Sequence, residues 1–243
     1  MKSTIPLFLA FLCLSAAAAA QAQTQITRCG TLIRNGGRYE LANDLLNCSS
    51  YGVRISADGI VILQLNSHQI TGMGMASGIG IDVRLFSGVS NTVAIRGAGT
   101  ISGFGTGLQA SGSGDIEVVG LTCTRNVTGF AFGGGAHANV ARNTASEDSH
   151  GFQINSSSSQ FRLNMAEHNA YEGFVISGVG NSFNENTALD NITYGIYCTG
   201  SQNAIVGNIA RGNSSNDLFE ANSDCVNQWM NNAFRSANKS CIH

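Results

Sequence analysis

The sequence predicts an all-β chain folded as a right-handed parallel β-helix (solenoid) of about eight coils. Three observations predict it. Glycine recurs every 22 residues, at Gly107, Gly129, Gly151, Gly173 and Gly195, and Asp217 holds the next place. Leu108, Phe130, Phe152, Phe174, Ile196 and Leu218 follow these positions, and two places further stand Ala110, Phe132, Ile154, Ile176 and Cys198, the alternation of a strand with one inward face. Third, the 243 residues include 30 glycines and a single proline, Pro6, near the N-terminus. A proline-free body suits continuous hydrogen-bonded ladders, which tolerate no missing N–H. Leucine-rich repeats have a similar period but need a Leu-x-x-Leu-x-Leu signature that is absent, and helical repeats are longer.

Residues 1–22 read as an export signal: Lys2, an apolar run from Ile5 to Ala20, and the small-residue site Ala20-Gln21-Ala22, with cleavage expected before Gln23. What remains carries 12 basic residues against 15 acidic ones, a net charge of −3, and Lys239 is its one lysine. No basic surface suited to nucleic acid follows from that balance. Outside the leader no apolar run approaches the roughly 18 residues of a membrane span. The expected product is exported, either periplasmic or secreted.

Residues 23–51 are expected to form an N-terminal cap, 52–216 the coils and 217–243 a C-terminal cap, because the ends of a solenoid expose core and open strand edges. Cys29 to Cys48 encloses Tyr39-Glu-Leu-Ala-Asn-Asp-Leu45, and Cys225 to Cys241 encloses Trp229 and Phe234. These pairs are expected to be disulfides, each contributing roughly 3 kcal/mol for loops of this size. Cys123 and Cys198 fall in separate inward columns four coils apart, about 19 Å at one strand spacing per coil, and are expected to be buried thiols.

Inside the repeat, a loop one residue shorter from the third turn onward aligns Val118, Val140, Phe161, Phe183 and Ile205, and also Cys123, Ala145, Ala166, Ala188 and Ala210, as buried columns. Asn143, Asn164, Asn186 and Asn208 form one polar column, and Asn126, Asp148, Asn169, Asn191 and Asn213 another. Side-chain amides one strand spacing apart, about 4.8 Å, can bond to their copies on the next coil.

Cys29-Gly-Thr-Leu-Ile, Gly37-Arg-Tyr-Glu-Leu, Val61-Ile-Leu-Gln-Leu-Asn-Ser-His-Gln-Ile-Thr-Gly72, Thr100-Ile-Ser-Gly-Phe-Gly-Thr-Gly107 and Asp224-Cys-Val-Asn-Gln-Trp-Met-Asn-Asn-Ala-Phe234 resemble the exported β-helix repeat proteins of the NosD-like group in the pectate-lyase-like superfamily. Gln64 stands where that group usually has Asp, and Ser67 where it has Gly. The resemblance covers nearly the whole body and implies the fold. For activity it implies a range: polysaccharide lyases, uronan epimerases, glycoside hydrolases and a periplasmic accessory protein for copper enzyme maturation.

Two outward columns hold the candidate chemistry. One is Arg125, Glu147, His168, Asp190 and Gly212; the other is Thr128, His150, Glu172, Tyr194 and Asn216. For proton removal beside a uronate carboxylate, His150 or His168 is the expected base, Tyr194 the acid and Arg125 the carboxylate partner, with Glu147 and Glu172 as the carboxylates a hydrolase would need. Tyr171, Asp190, Tyr197 and Arg211 are expected to contact substrate, and Tyr197 and Phe219 offer rings to a sugar. The expected function is therefore carbohydrate interaction, with lyase or C5-epimerase activity on an acidic polysaccharide. The alternative is a noncatalytic envelope protein or a NosD-like metal-delivery accessory. No metal motif of fixed spacing is present, and the N and O donors of the patch suit calcium or a transition metal. Arg54 and Asp82 are expected to be outward and solvated. Five successive turns without an insertion predict an open face lacking cleft walls.

Overall fold

A computed structural model describes residues 23–75, 78–86 and 91–243, so the leader lies outside the described residues. The described chain is a parallel β-solenoid of about nine turns, one more than the repeat count suggests. Every paired strand is parallel, and the pairings run down three faces of the stack. The first face joins Ile33, Ile55, Val83, Ala110, Phe132, Ile154, Ile176, Cys198 and Glu220 in register. The second aligns Val118, Val140, Phe161, Phe183, Ile205 and Trp229, and the third Cys123, Ala145, Ala166, Ala188 and Ala210. Both columns follow the expected register, including the shortened loop.

The core forms because these inward positions repeat at one strand spacing. Phe130, Phe152 and Phe174 stack with ring centroids 4.7 and 4.8 Å apart, and Phe183 meets Phe174 edge-on. The glycine column is equally dictated by contact. A Cβ on Gly173 would lie 2.8 Å from both Asn191 Nδ2 and the Gly195 carbonyl oxygen, so the coils close up only if that position lacks a side chain.

Polar groups inside the stack are satisfied by ladders. Asn186 N–H and Nδ2 donate to Asn208 Oδ1 at 2.8 and 3.1 Å, and its Nδ2 also donates to the Phe161 carbonyl at 3.0 Å. Asn143, Asn164 and Asn208 repeat the pattern, as do Asn169 and Asn191 in the second ladder. The structure adds a third ladder that the repeat analysis does not contain: Ser159, Asn181, Asn203 and Asn227.

The ends close as expected. Disulfides join Cys29 to Cys48 and Cys225 to Cys241, while Cys123 and Cys198 are free and buried. Glu220 interrupts the apolar column of the first face in the last coil, yet it is fully buried. Its carboxylate accepts from Trp229 Nε1 at 3.0 Å and Asn227 Nδ2 at 2.7 Å, so the buried acid ties the bulky terminal indole to the last coil. Asp82 corrects an expectation. It is fully buried rather than solvated, because Arg54 Nε at 2.7 Å and Arg84 Nε at 3.0 Å fold over its carboxylate.

Candidate functional site

Each coil turns at three corners, and the corners decide where the candidate side chains stand. Arg125, Glu147, His168 and Asp190 all have φ between 51° and 56°, and Gly212 continues the column at 73°. Each immediately precedes a member of the second Asn ladder. The same device recurs at Arg142, Leu163, Glu185 and Gly207 before the first ladder, and at Ser158, Gly180 and Gln202 before the third. A left-handed residue reverses the chain, and the next side chain enters the interior to bond the coil above. The column therefore points outward because the corner requires it.

The corner residues pair loosely. Arg125 Nε is 3.9 Å from Glu147 Oε2, and His168 lies 3.9 Å from both Glu167 and Asp190. Their side chains are mostly exposed, where such pairs contribute well under 1 kcal/mol. Arg211 lies on the exposed outer side of its strand, one place before this column, opposite Leu189.

The second column is tighter. His150 Nδ1 lies 2.7 Å from Glu172 Oε2, with side chains only 28% and 18% exposed. The His150 ring stacks on Tyr171 at 5.0 Å between centroids. One coil further, Tyr194 packs against Tyr197 at 5.1 Å and Phe219 at 4.8 Å, and Tyr197 stacks on Phe219 at 5.3 Å. The structure thus brings His150, Tyr171 and Glu172 into one group and Tyr194, Tyr197 and Phe219 into another. Arg125 and Glu147 form a separate pair at the corner, as do His168 and Asp190. A carboxylate on Nδ1 fixes the imidazole and leaves Nε2 to face a ligand, the orientation that a base or a metal ligand needs.

Asp148 is the titratable group that sequence reasoning placed only as a ladder member. Burial raises its carboxyl from the ordinary value to about 7. Oδ1 accepts from Asn126 N at 2.7 Å and Nδ2 at 3.0 Å, whereas the buried Oδ2 has no hydrogen-bond partner. Its signal was the one acid among the asparagines of the column. Burial also holds the Cys123 thiol well up and pushes Cys198 to about 12, so both sulfurs stay protonated.

Among the described residues no three His, Cys, Asp or Glu side chains converge as a metal site. Four imidazoles each have a carboxylate within 4 Å instead: His68 with Asp44, His137 with Asp115, His150 with Glu172 and His168 with Glu167 and Asp190. Also among the described residues, no helix is long and apolar enough to cross a membrane.

The fold and its disulfide-closed ends define a β-helix repeat protein suited to an oxidising compartment. Residues 23–240 match the family described as periplasmic copper-binding protein (NosD), and the chain belongs to that family. No curated protein and no solved structure matches it.

Proposed function

We propose that this protein is a noncatalytic accessory solenoid of the periplasm that takes copper as cargo. The observation that carries the reading is the family match over residues 23–240. Its geometry is consistent with binding rather than turnover. The corner charges are paired off and open to water, which leaves them little means to shield a reacting group. Titrating the purified protein with Cu(I) and Cu(II), with Zn(II) and Ca(II) as controls, tests the reading. Retention of about one or more equivalents of copper through gel filtration is the expected result, and retention of neither copper ion overturns it.

A second reading is favoured by the aromatic group of Tyr194, Tyr197 and Phe219 beside the His150–Glu172 pair. Rings and a carboxylate-oriented imidazole on one face suit an acidic polysaccharide. On this reading His150 is the base of a lyase or C5-epimerase, Glu172 positions it, Tyr194 is the acid, and Tyr171, Tyr197, Asp190 and Arg211 contact the sugar. Alginate and pectate are the substrates to try, watching for ultraviolet absorbance from unsaturated ends and for epimerisation by NMR. Absence of both product and binding removes this reading.

A further inference from the structure

We propose that Cu(I) docks on the loop Met73-Gly74-Met75 through its two thioether sulfurs, an inference that rests on the copper-cargo reading and names its site. The argument is an inventory of soft donors, since thiolate and thioether ligands select Cu(I). Four of the six cysteines of the described chain are in disulfides, and the other two are buried with protonated thiols. No cysteine among the described residues is available to an incoming ion. Of the described methionines, Met165 and Met230 are half-buried, and Met230 Sδ already accepts from Gln228 Nε2 at 3.5 Å.

Met73 and Met75 differ from them. They are 70% and 40% exposed, and Met73 is more exposed than any other large apolar side chain among the described residues. Leaving such side chains in water forgoes the free energy of burying them, so packing does not account for them. The loop is held at its centre: Gly74 N–H donates to the Gly103 carbonyl on the next coil at 3.0 Å. Gly74 has φ 145°, and a Cβ there would meet nothing within 4 Å, so the glycine answers to the backbone angle and not to a close contact. Two flexible thioethers two residues apart on an anchored loop can close on one ion. Thioethers are neutral and cannot be lost to disulfides, which suits a site that accepts and releases cargo in an oxidising compartment.

The test is an anaerobic Cu(I) titration against a chromogenic chelator, comparing the parent protein with Met73→Leu/Met75→Leu and with Met165→Leu/Met230→Leu, which removes the two half-buried methionines. Leucine keeps the apolar volume at exposed positions, and an unchanged Tm by circular dichroism verifies the fold; Met73→Gln/Met75→Gln is the second pair. Loss of about tenfold or more in Cu(I) affinity in both variants of Met73 and Met75, with Met165→Leu/Met230→Leu at parental affinity, is expected. X-ray absorption of the loaded parent should show a sulfur shell near roughly 2.3 Å, a typical metal–sulfur distance, that Met73→Leu/Met75→Leu lacks. Equal Cu(I) binding by the parent and the variants of Met73 and Met75 overturns the site and leaves the copper reading standing. Binding of Cu(II) alone does the same. A parent that binds neither ion overturns both.

Discussion

Replacing Asp148 by Asn should stabilise the protein in a pH-dependent way. At four other positions of its ladder an Asn Nδ2 donates to a carbonyl on the preceding coil: Asn126 to Ile101, Asn169 to Ala145, Asn191 to Ala166 and Asn213 to Ala188. The register gives Asp148 the Cys123 carbonyl as its counterpart, and there the partnerless Oδ2 can donate only when protonated. Burial lifts the folded pKa to about 7 from an ordinary 3.8. The folded state therefore binds the proton more tightly than the unfolded chain. Its contribution is fully present below about pH 4 and is lost as pH rises through 7, a span worth up to ~4 kcal/mol. Asparagine supplies the donor at every pH. Asp148→Asn should match the parent within about 1 kcal/mol near pH 4. At pH 8 it should exceed the parent by roughly 2–4 kcal/mol, a Tm rise of about 4–16 °C for a chain of this size. Thermal melts at both pH values measure this. A variant offset equally at both, or destabilised at pH 8, would refute the assignment of a proton to Asp148.

Asn186→Leu takes the Oδ1 acceptor from Asn164 N–H and Nδ2 and the Nδ2 donor from Asn208 Oδ1 and the Phe161 carbonyl, and urea unfolding should show a loss of roughly 1–3 kcal/mol; an unchanged midpoint would contradict the ladder. Glu185→Gly removes a side chain from a φ of 54° in the column where Gly207 already sits, so it should be neutral or stabilising by up to ~1 kcal/mol, the reverse of a usual glycine substitution. Gly173→Ala should instead destabilise by about 1–3 kcal/mol, because its Cβ meets Asn191 and Gly195 at 2.8 Å; matched melts of the two variants check both signs. Alkylation of the unreduced protein should add no label natively and two labels in denaturant, on Cys123 and Cys198, and intact mass reads the count.

The stack was legible because each coil repeats one environment. A position such as Gly173 or Ala166 meets its own copy above and below, so one steric requirement is written into the sequence at a fixed spacing. The third ladder was harder to see. It opens on Ser159, and its last step, Asn203 to Asn227, spans 24 residues because the chain lengthens into the terminal cap. The corners carry no single compositional mark: Arg, Glu, His, Asp, Leu, Ser, Gln and Gly occupy them, and only the backbone angle unites them. Asp82 was misplaced because strand alternation predicts which way a side chain leaves the sheet, while the covering arginines come from a neighbouring coil and from two residues along the strand.

That distinction also sorts the candidate residues. For Arg125, Glu147, His168 and Asp190 the corner dictates an outward side chain whatever its chemistry, and Gly212 shows that the position serves with none. Their charges are therefore free to vary without cost to the fold, and their presence says little about use. His150, Glu172 and Tyr194 occupy a half-buried line where each contact constrains its neighbour: a ring nitrogen 2.7 Å from a carboxylate, a ring stacked on Tyr171, a phenol packed on Tyr197 and Phe219. Ordered groups of this kind lower the entropy lost when a ligand binds. Met73 and Met75 present a third situation, exposed apolar sulfur that neither the corner geometry nor the core requires. A solenoid supplies the same scaffold at every coil, so its functional positions are those where exposure or order exceeds what stacking alone demands.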